Sequence, residues 1–140
     1  MPTLTKFNAF VEELAEKAHN LGADVLKVAL TNTAPLASQT TWNVTDHPAP
    51  VAANGYTAGG NTPAITSSAQ TAGTYKLVLA DTVFTATAGG IGPFRYAVLY
   101  NSTNLAKAIG WYDYGSALTL ASGETLTVDF DAAAGTLTLV

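Results

Sequence analysis

The chain contains no cysteine, which excludes disulfide frameworks, thiolate metal sites and thiol nucleophiles together. Charge is nearly as scarce. Only 11% of the 140 residues are Asp, Glu, Lys or Arg, against roughly 25% in ordinary soluble domains. Six Lys and Arg are scattered among ten acids, for a formal charge of −4. No basic stripe is there to neutralise phosphates, so nucleic acid is not an expected partner. No segment approaches the roughly 18 consecutive apolar residues of a membrane span. The opening "MPTLTKFNAFVEELAEK" carries acids where a secretory leader needs an unbroken apolar stretch. The expectation is a protein neither exported by that route nor embedded in a membrane.

What is present is 48% hydrophobic, enough for a real core in one domain spanning 1–140. Leu4, Phe7, Val11, Leu14, Ala18 and Leu21 recur at helical steps, with Glu12, Glu13, Glu16 and Lys17 opposite. With Thr3 or Thr5 as N-cap and Gly22 as stop, this predicts an amphipathic helix from about Thr5 to Asn20. The region 1–22 is thus the helix and 23–140 a β domain.

In "DVLKVALTN" the period becomes two, with Leu26, Val28 and Leu30 on one side of a strand. From about 33 to 61 regularity disappears among Pro35, Pro48, Pro50, Gly55, Gly59 and Gly60. Loops this long are often interaction-bearing, and this one has room for a short strand at Thr41–Val44. Turn residues then recur every 8 to 12 or so positions, the spacing of an all-β sandwich or barrel. Strands are expected at about 65–69, 75–79, 82–87, 94–100, 106–112, 117–120, 124–130 and 136–140. The fold class is therefore mainly β: an antiparallel β-sandwich or barrel with one N-terminal amphipathic α-helix.

Catalytic signals are weak. The histidines are His19, placed near a helix C-terminus that suits a cationic ring, and His47, in the loop beside Asp46; no G-x-S-x-G accompanies them. Asp113, Asp129 and Asp131 are the carboxylates a glycosidase would need. Yet Asp129 alternates to the solvent side and Asp131 opens a turn, and no calcium-loop pattern is present. "GYTAGGN" and "AGGIGP" lack the Lys-Ser/Thr of a phosphate loop. No catalytic residue, cofactor site or metal site is assigned, and the chain reads as a non-enzyme.

Aromatics remain as binding candidates. Trp42 and Tyr56 lie in the long loop, and Tyr112 and Tyr114 in "GWYDYG". Alternation there puts Ile109 and Trp111 on one face, read as the core side, and Tyr112 on the other, with Asp113–Gly115 as an exit turn. The candidate interface is Trp42, Tyr56, Tyr112 and Tyr114.

The stretches "KFNAFVEELAEKAHNLGADVLKVALTNTAP", "NGYTAGG" and "IGPFRYAVLYN" through "GETLTVDFDAAAGTLTL" occur in an order that resembles a family of small structural proteins of tailed bacteriophages and prophages. The resemblance implies a virion structural protein assembled in the bacterial host cytoplasm. Within that class the chain is similar in size and composition to capsid decoration (cement) proteins, which implies a homo-oligomer, a trimer foremost, bound to the major capsid protein. The alternative is a tail component or receptor-binding module contacting host-surface glycans through Trp42, Tyr56 and Tyr114. It implies no cofactor.

Overall fold

The computed structural model of the chain describes residues 2–140. Its amphipathic N-terminal segment splits in two. Thr5–Lys6 form a short strand, β1, antiparallel to Trp111 and Gly110, and the helix α1 spans Asn8–Ala15 rather than 5–20. Phe7 is the extended N-cap residue and makes no side-chain cap; its N–H donates instead to the Ile109 carbonyl at 3.1 Å. At the other end Lys17 turns left-handed, φ 64°, and the Ala18 N–H closes on the Glu13 carbonyl at 2.7 Å. The buried face is accordingly Phe10 and Glu13, while Val11, expected on the apolar stripe, is 54% exposed.

The remaining strands are β2 (Leu26–Thr31), β3 (Ile65–Thr71), β4 (Thr74–Leu79), β5 (Thr82–Thr85), β6 (Ile91–Asn101), β7 (Lys107–Leu120), β8 (Thr125–Val128) and β9 (Leu137–Leu139). All pair antiparallel. They form a four-stranded sheet ordered β1-β7-β6-β2, a three-stranded sheet β3-β4-β9 and the pair β5-β8. The chain is mainly β, with sheets layered in a sandwich-like arrangement and one short N-terminal helix. The strand expected at Thr41–Val44 is a single bridge, Thr41 to Lys107, followed by a turn of 3₁₀ helix at Val44–Asp46.

Two apolar clusters lie on opposite faces of the large sheet. The main one joins Leu26, Val28 and Leu30 of β2 and Phe94, Ala97 and Leu99 of β6 to Leu77, Leu79, Phe84 and Val128 of the other strands. The smaller one holds Phe7, Ala29, Trp42, Val98, Tyr100 and Ala108. Covering both faces explains why β6 reads as the continuous run "YAVLY" rather than alternating.

The two strands expected at 106–112 and 117–120 are one strand, β7, carrying two irregularities. Leu99 pairs with Gly110 and Tyr100 with Ala108, so Ile109 is an extra residue, a β-bulge. Further on, Phe94 pairs with Leu118 and Tyr96 with Asp113, which pushes residues 114–117 out of register. The first bulge resets the alternation, so Ile109 and Tyr112 both enter the main cluster while Trp111 packs with the smaller one. The assignment of Trp111 to the core face and Tyr112 to the opposite face is thus inverted.

The outer edge of β2 and the first part of β7 are bonded by chain lying mostly outside the named strands. Along the outer edge of β2, Val28 exchanges two bonds with Asn61 at 2.8 and 2.9 Å, and the Asn32 N–H reaches the Ala49 carbonyl at 3.1 Å. Along β7, β1 is followed by Ala108 N–H to Thr40 carbonyl at 2.9 Å and Trp42 N–H to Ala106 carbonyl at 2.7 Å. Apart from β1, the long loop at 33–61 supplies these contacts.

Gly60 permits the approach to β2: its φ is +77°, and a Cβ there would sit 1.8 Å from the Val28 carbonyl oxygen. Gly73, at the tip of the β3–β4 hairpin, has φ +85° with nothing within 4 Å. Chemical denaturation should therefore show Gly73→Ala losing about 1–2 kcal/mol from backbone strain alone. Gly60→Ala should lose several times more, because the loop cannot close on β2. Equal losses would mean that the close approach is unimportant.

Candidate functional site

Three of the four candidate interface rings are inside the molecule. Tyr56 is buried, and its hydroxyl accepts from the Leu30 N–H at 3.0 Å and donates to the Leu30 carbonyl at 3.1 Å. It thereby fills the gap between Asn61 and Ala49 on the β2 edge, and burial pushes its pKa up to about 12. Tyr112 lies in the main cluster, 6.1 Å from Phe130 between ring centroids, and burial pushes its phenol up as well. Trp42 stacks on His47, with centroids 3.7 Å apart and planes 15° from parallel, over Tyr100 on the sheet. Only Tyr114 is half-buried; among the described residues its hydroxyl is enclosed without a hydrogen-bond partner, as are Trp42 Nε1 and His47 Nε2. The rings of Trp42, Tyr56 and Tyr112 form no exposed platform, because the loop that carries two of them folds back on the sheet.

The histidines sit in two separate polar clusters. His47 Nδ1 and Thr31 Oγ1 are 3.1 Å apart, and burial holds its pKa below the usual value. His19 lies beyond the end of α1, with a side chain of zero exposure, so the helix-terminus role expected for it does not arise. The Asn101 Oδ1 accepts from the Thr103 and Asn104 N–H groups at 3.0 and 3.2 Å, which fixes the amide. Its Nδ2 then donates to His19 Nδ1 at 3.1 Å and Asp24 Oδ2 at 2.6 Å. With Nδ1 accepting, the ring proton resides on Nε2 and points to Glu13 Oε2 at 3.2 Å. Lys107 Nζ donates to the other Glu13 oxygen at 2.6 Å. Burial outweighs these carboxylates and lowers the His19 pKa. Such mutually satisfied groups tie α1, the segment before β2, and the β6–β7 connection together, and they leave no free base. Glu13, Asp24, Asn101 and Lys107 carried no signal in the sequence, since Glu13 and Lys107 are 94 residues apart.

The carboxylates are also engaged locally. Arg95 donates to both oxygens of Asp113, at 2.7 and 2.9 Å, and the Gly115 N–H adds a third bond at 2.7 Å. The guanidinium, then the amide, holds the Asp113 carboxyl below its ordinary range. Asp131 accepts from Ala133 and Ala134 N–H groups at 2.8 and 2.9 Å, which lower its pKa in the turn it opens. Among the described residues no group of three His, Cys, Asp or Glu could hold a metal ion.

Two further surface features bear on function. A groove of about 630 Å³ runs between α1 and β9, lined by Leu4, Val11, Leu14, Leu137 and Leu139 with Asp129 and Asp131 at its side. The other is β3, the end strand of its sheet. Six of its seven residues are exposed, "ITSSAQT" contains no charge and no proline, and among the described residues its backbone pairs with β4 alone. Edge strands are ordinarily guarded by charge, proline, bulges or cover; this one has an irregularity between Ile65 and Ser67 and, among the described residues, neither charge nor proline from Ser67 to Thr71. Comparison with protein-family models, curated proteins and solved structures finds no match to the chain.

Two outcomes follow from these contacts. Tyr56→Phe keeps the ring but leaves the Leu30 N–H and carbonyl buried without partners, a loss of about 1–3 kcal/mol in denaturant titration; a neutral result would mean that water replaces the hydroxyl. For pH, unfolded histidine titrates near 6.5, and both native histidines titrate lower. Below about 6.5 the unfolded state binds protons that the native state refuses, so stability is full above that value and falls as pH drops towards the lowered native pKa values. A His19→Gln, His47→Gln double variant should be less stable at neutral pH but show a shallower acid decline in thermal melts. An unchanged slope would exclude the histidines as its source.

Proposed function

We propose that this chain is a non-enzymatic virion structural protein of a tailed bacteriophage, and specifically a decoration protein that binds the assembled head shell. The observation that carries the reading is β3: a solvent-facing strand end with unpaired backbone groups and no charge. A neighbouring subunit can add a strand there, gaining main-chain hydrogen bonds while desolvating hydroxyls and an amide rather than ions. The sparse charge of the whole chain favours the same use, and the sequence resemblance to phage structural proteins supplies the partner, the major capsid protein. Assembly as a homotrimer at shell symmetry positions is the expected form. The tail or receptor-binding alternative depended on exposed aromatic rings for stacking on glycans, and burial of Trp42 and Tyr56 removes its main support.

Co-sedimentation of the purified protein with mature heads tests the proposal. Binding is expected to saturate, and a Ser67→Lys, Ala69→Lys double variant should lose it while its stability changes by no more than about 0.5 kcal/mol, as exposed positions allow. Undiminished binding by that variant would clear β3 of the role. Presence in purified tails and absence from heads would overturn the decoration reading itself.

A further inference from the structure

The chain has eight asparagines, and Asn54 alone is followed by glycine. Elsewhere the side-chain amide is often committed: Asn43 Oδ1 accepts from Thr45, Asn61 Nδ2 donates to the Val83 carbonyl, Asn104 Nδ2 donates to the Ala18 carbonyl, and Asn101 is enclosed in the His19 cluster. Asn54 and Gly55 are both exposed. The pair forms the left-handed centre of a tight turn, with φ values of 55° and 97°, closed by Tyr56 N–H to Ala53 carbonyl at 3.0 Å. Neither the Asn54 amide nor the Gly55 N–H makes a hydrogen bond among the described residues. The side chain rests over Gly89, where a methyl group would come within 2.6 Å of Nδ2.

We propose that Asn54 is a site of spontaneous covalent modification, converting to aspartate and isoaspartate through attack by the Gly55 nitrogen. The turn leaves electrophile and nucleophile exposed and unengaged, and glycine presents no side chain to hinder the approach. The Gly55 nitrogen loses its proton to water or hydroxide and bonds to Asn54 Cγ. The Cγ–Nδ2 bond breaks, and the nitrogen takes a proton from water and departs as ammonia, leaving a cyclic succinimide. Water then opens the ring. Opening at the side-chain carbonyl gives aspartate; opening at the main-chain carbonyl gives isoaspartate, which routes the backbone through Cγ and lengthens it by one methylene.

The position of that methylene matters. On one side the Asn54 carbonyl accepts from the Thr87 N–H at 2.8 Å; two residues on, Tyr56 closes the β2 edge at Leu30. Isoaspartate takes the Asn54 carbonyl out of the backbone as a free carboxylate and lengthens the path from its Cα to Tyr56, so it loosens the cover of the main sheet, while aspartate adds only a surface charge.

The test is to hold the purified full-length protein at mildly alkaline pH, folded and in denaturant, and to resolve Asn, Asp and isoaspartate by peptide mapping with enzymatic methyl-labelling of isoaspartate. In the folded protein conversion should be confined to residue 54 and absent from Asn54→Ser. An intact Asn54 in folded protein, under conditions where the denatured chain converts, would overturn the proposal, as would earlier conversion at another asparagine. Gly55→Ala is unsuitable as a control, since its Cβ would lie 2.1 Å from the Thr85 carbonyl oxygen. The isoaspartate form, separated from the aged sample, should melt below Asn54→Asp. Equal melting would refute the loosening of the β2 edge.

Discussion

Everything in this molecule depends on satisfying the outer edge of β2. A central sheet with both faces buried cannot leave backbone donors and acceptors open along one side, because each unpaired buried group carries a desolvation penalty. The chain meets that demand without another strand, using Asn61, the Tyr56 hydroxyl and the Ala49 carbonyl in turn. The irregularity of residues 33–61 is a consequence. A segment that must bridge an edge at intervals and also lay Trp42 over the sheet face has no use for a repeating backbone conformation.

Strand positions after residue 62 were legible because alternation and turn residues are local signals, and β4, β6, β8 and β9 lie where the pattern put them, within a few residues. The periodic stripe predicts a longer helix than Asn8–Ala15 because periodicity says nothing about tertiary competition. Thr5 and Lys6 do better pairing with β7, and Lys17 breaks the helix in favour of the His19 cluster. The faces of "GWYDYG" were inverted for a single reason, the extra residue at Ile109, which period-two counting cannot register. Nor could composition say that the aromatic loop folds inward, since rings suited to an interface are equally suited to covering a second sheet face.

The distribution of charge has a similar logic. Few ionic groups are present, and several of them are used inside or locally: Glu13, Lys107 and Asp24 around His19, and Arg95 across to Asp113. The first set joins elements far apart in sequence, and the second braces β6 to β7 where residues 114–117 leave the ladder. The remaining exposed charges lie on other elements, and the polar side chains that β3 itself presents to solvent are hydroxyls and an amide alone.

The edge cover also bears on how the chain reaches this structure. β6 and β7 are neighbours in sequence and meet early, whereas β2 must find β6 across an intervening stretch of some 60 or more residues, and non-local pairing of this kind places folding at the slow end of the range for small domains. Until the segment around Tyr56 docks, β2 is a hydrophobic strand with a bare side, a template for any other chain in the same state. In closing on Leu30, the loop therefore does more than connect: it removes from the finished fold a strand edge that another chain could pair with.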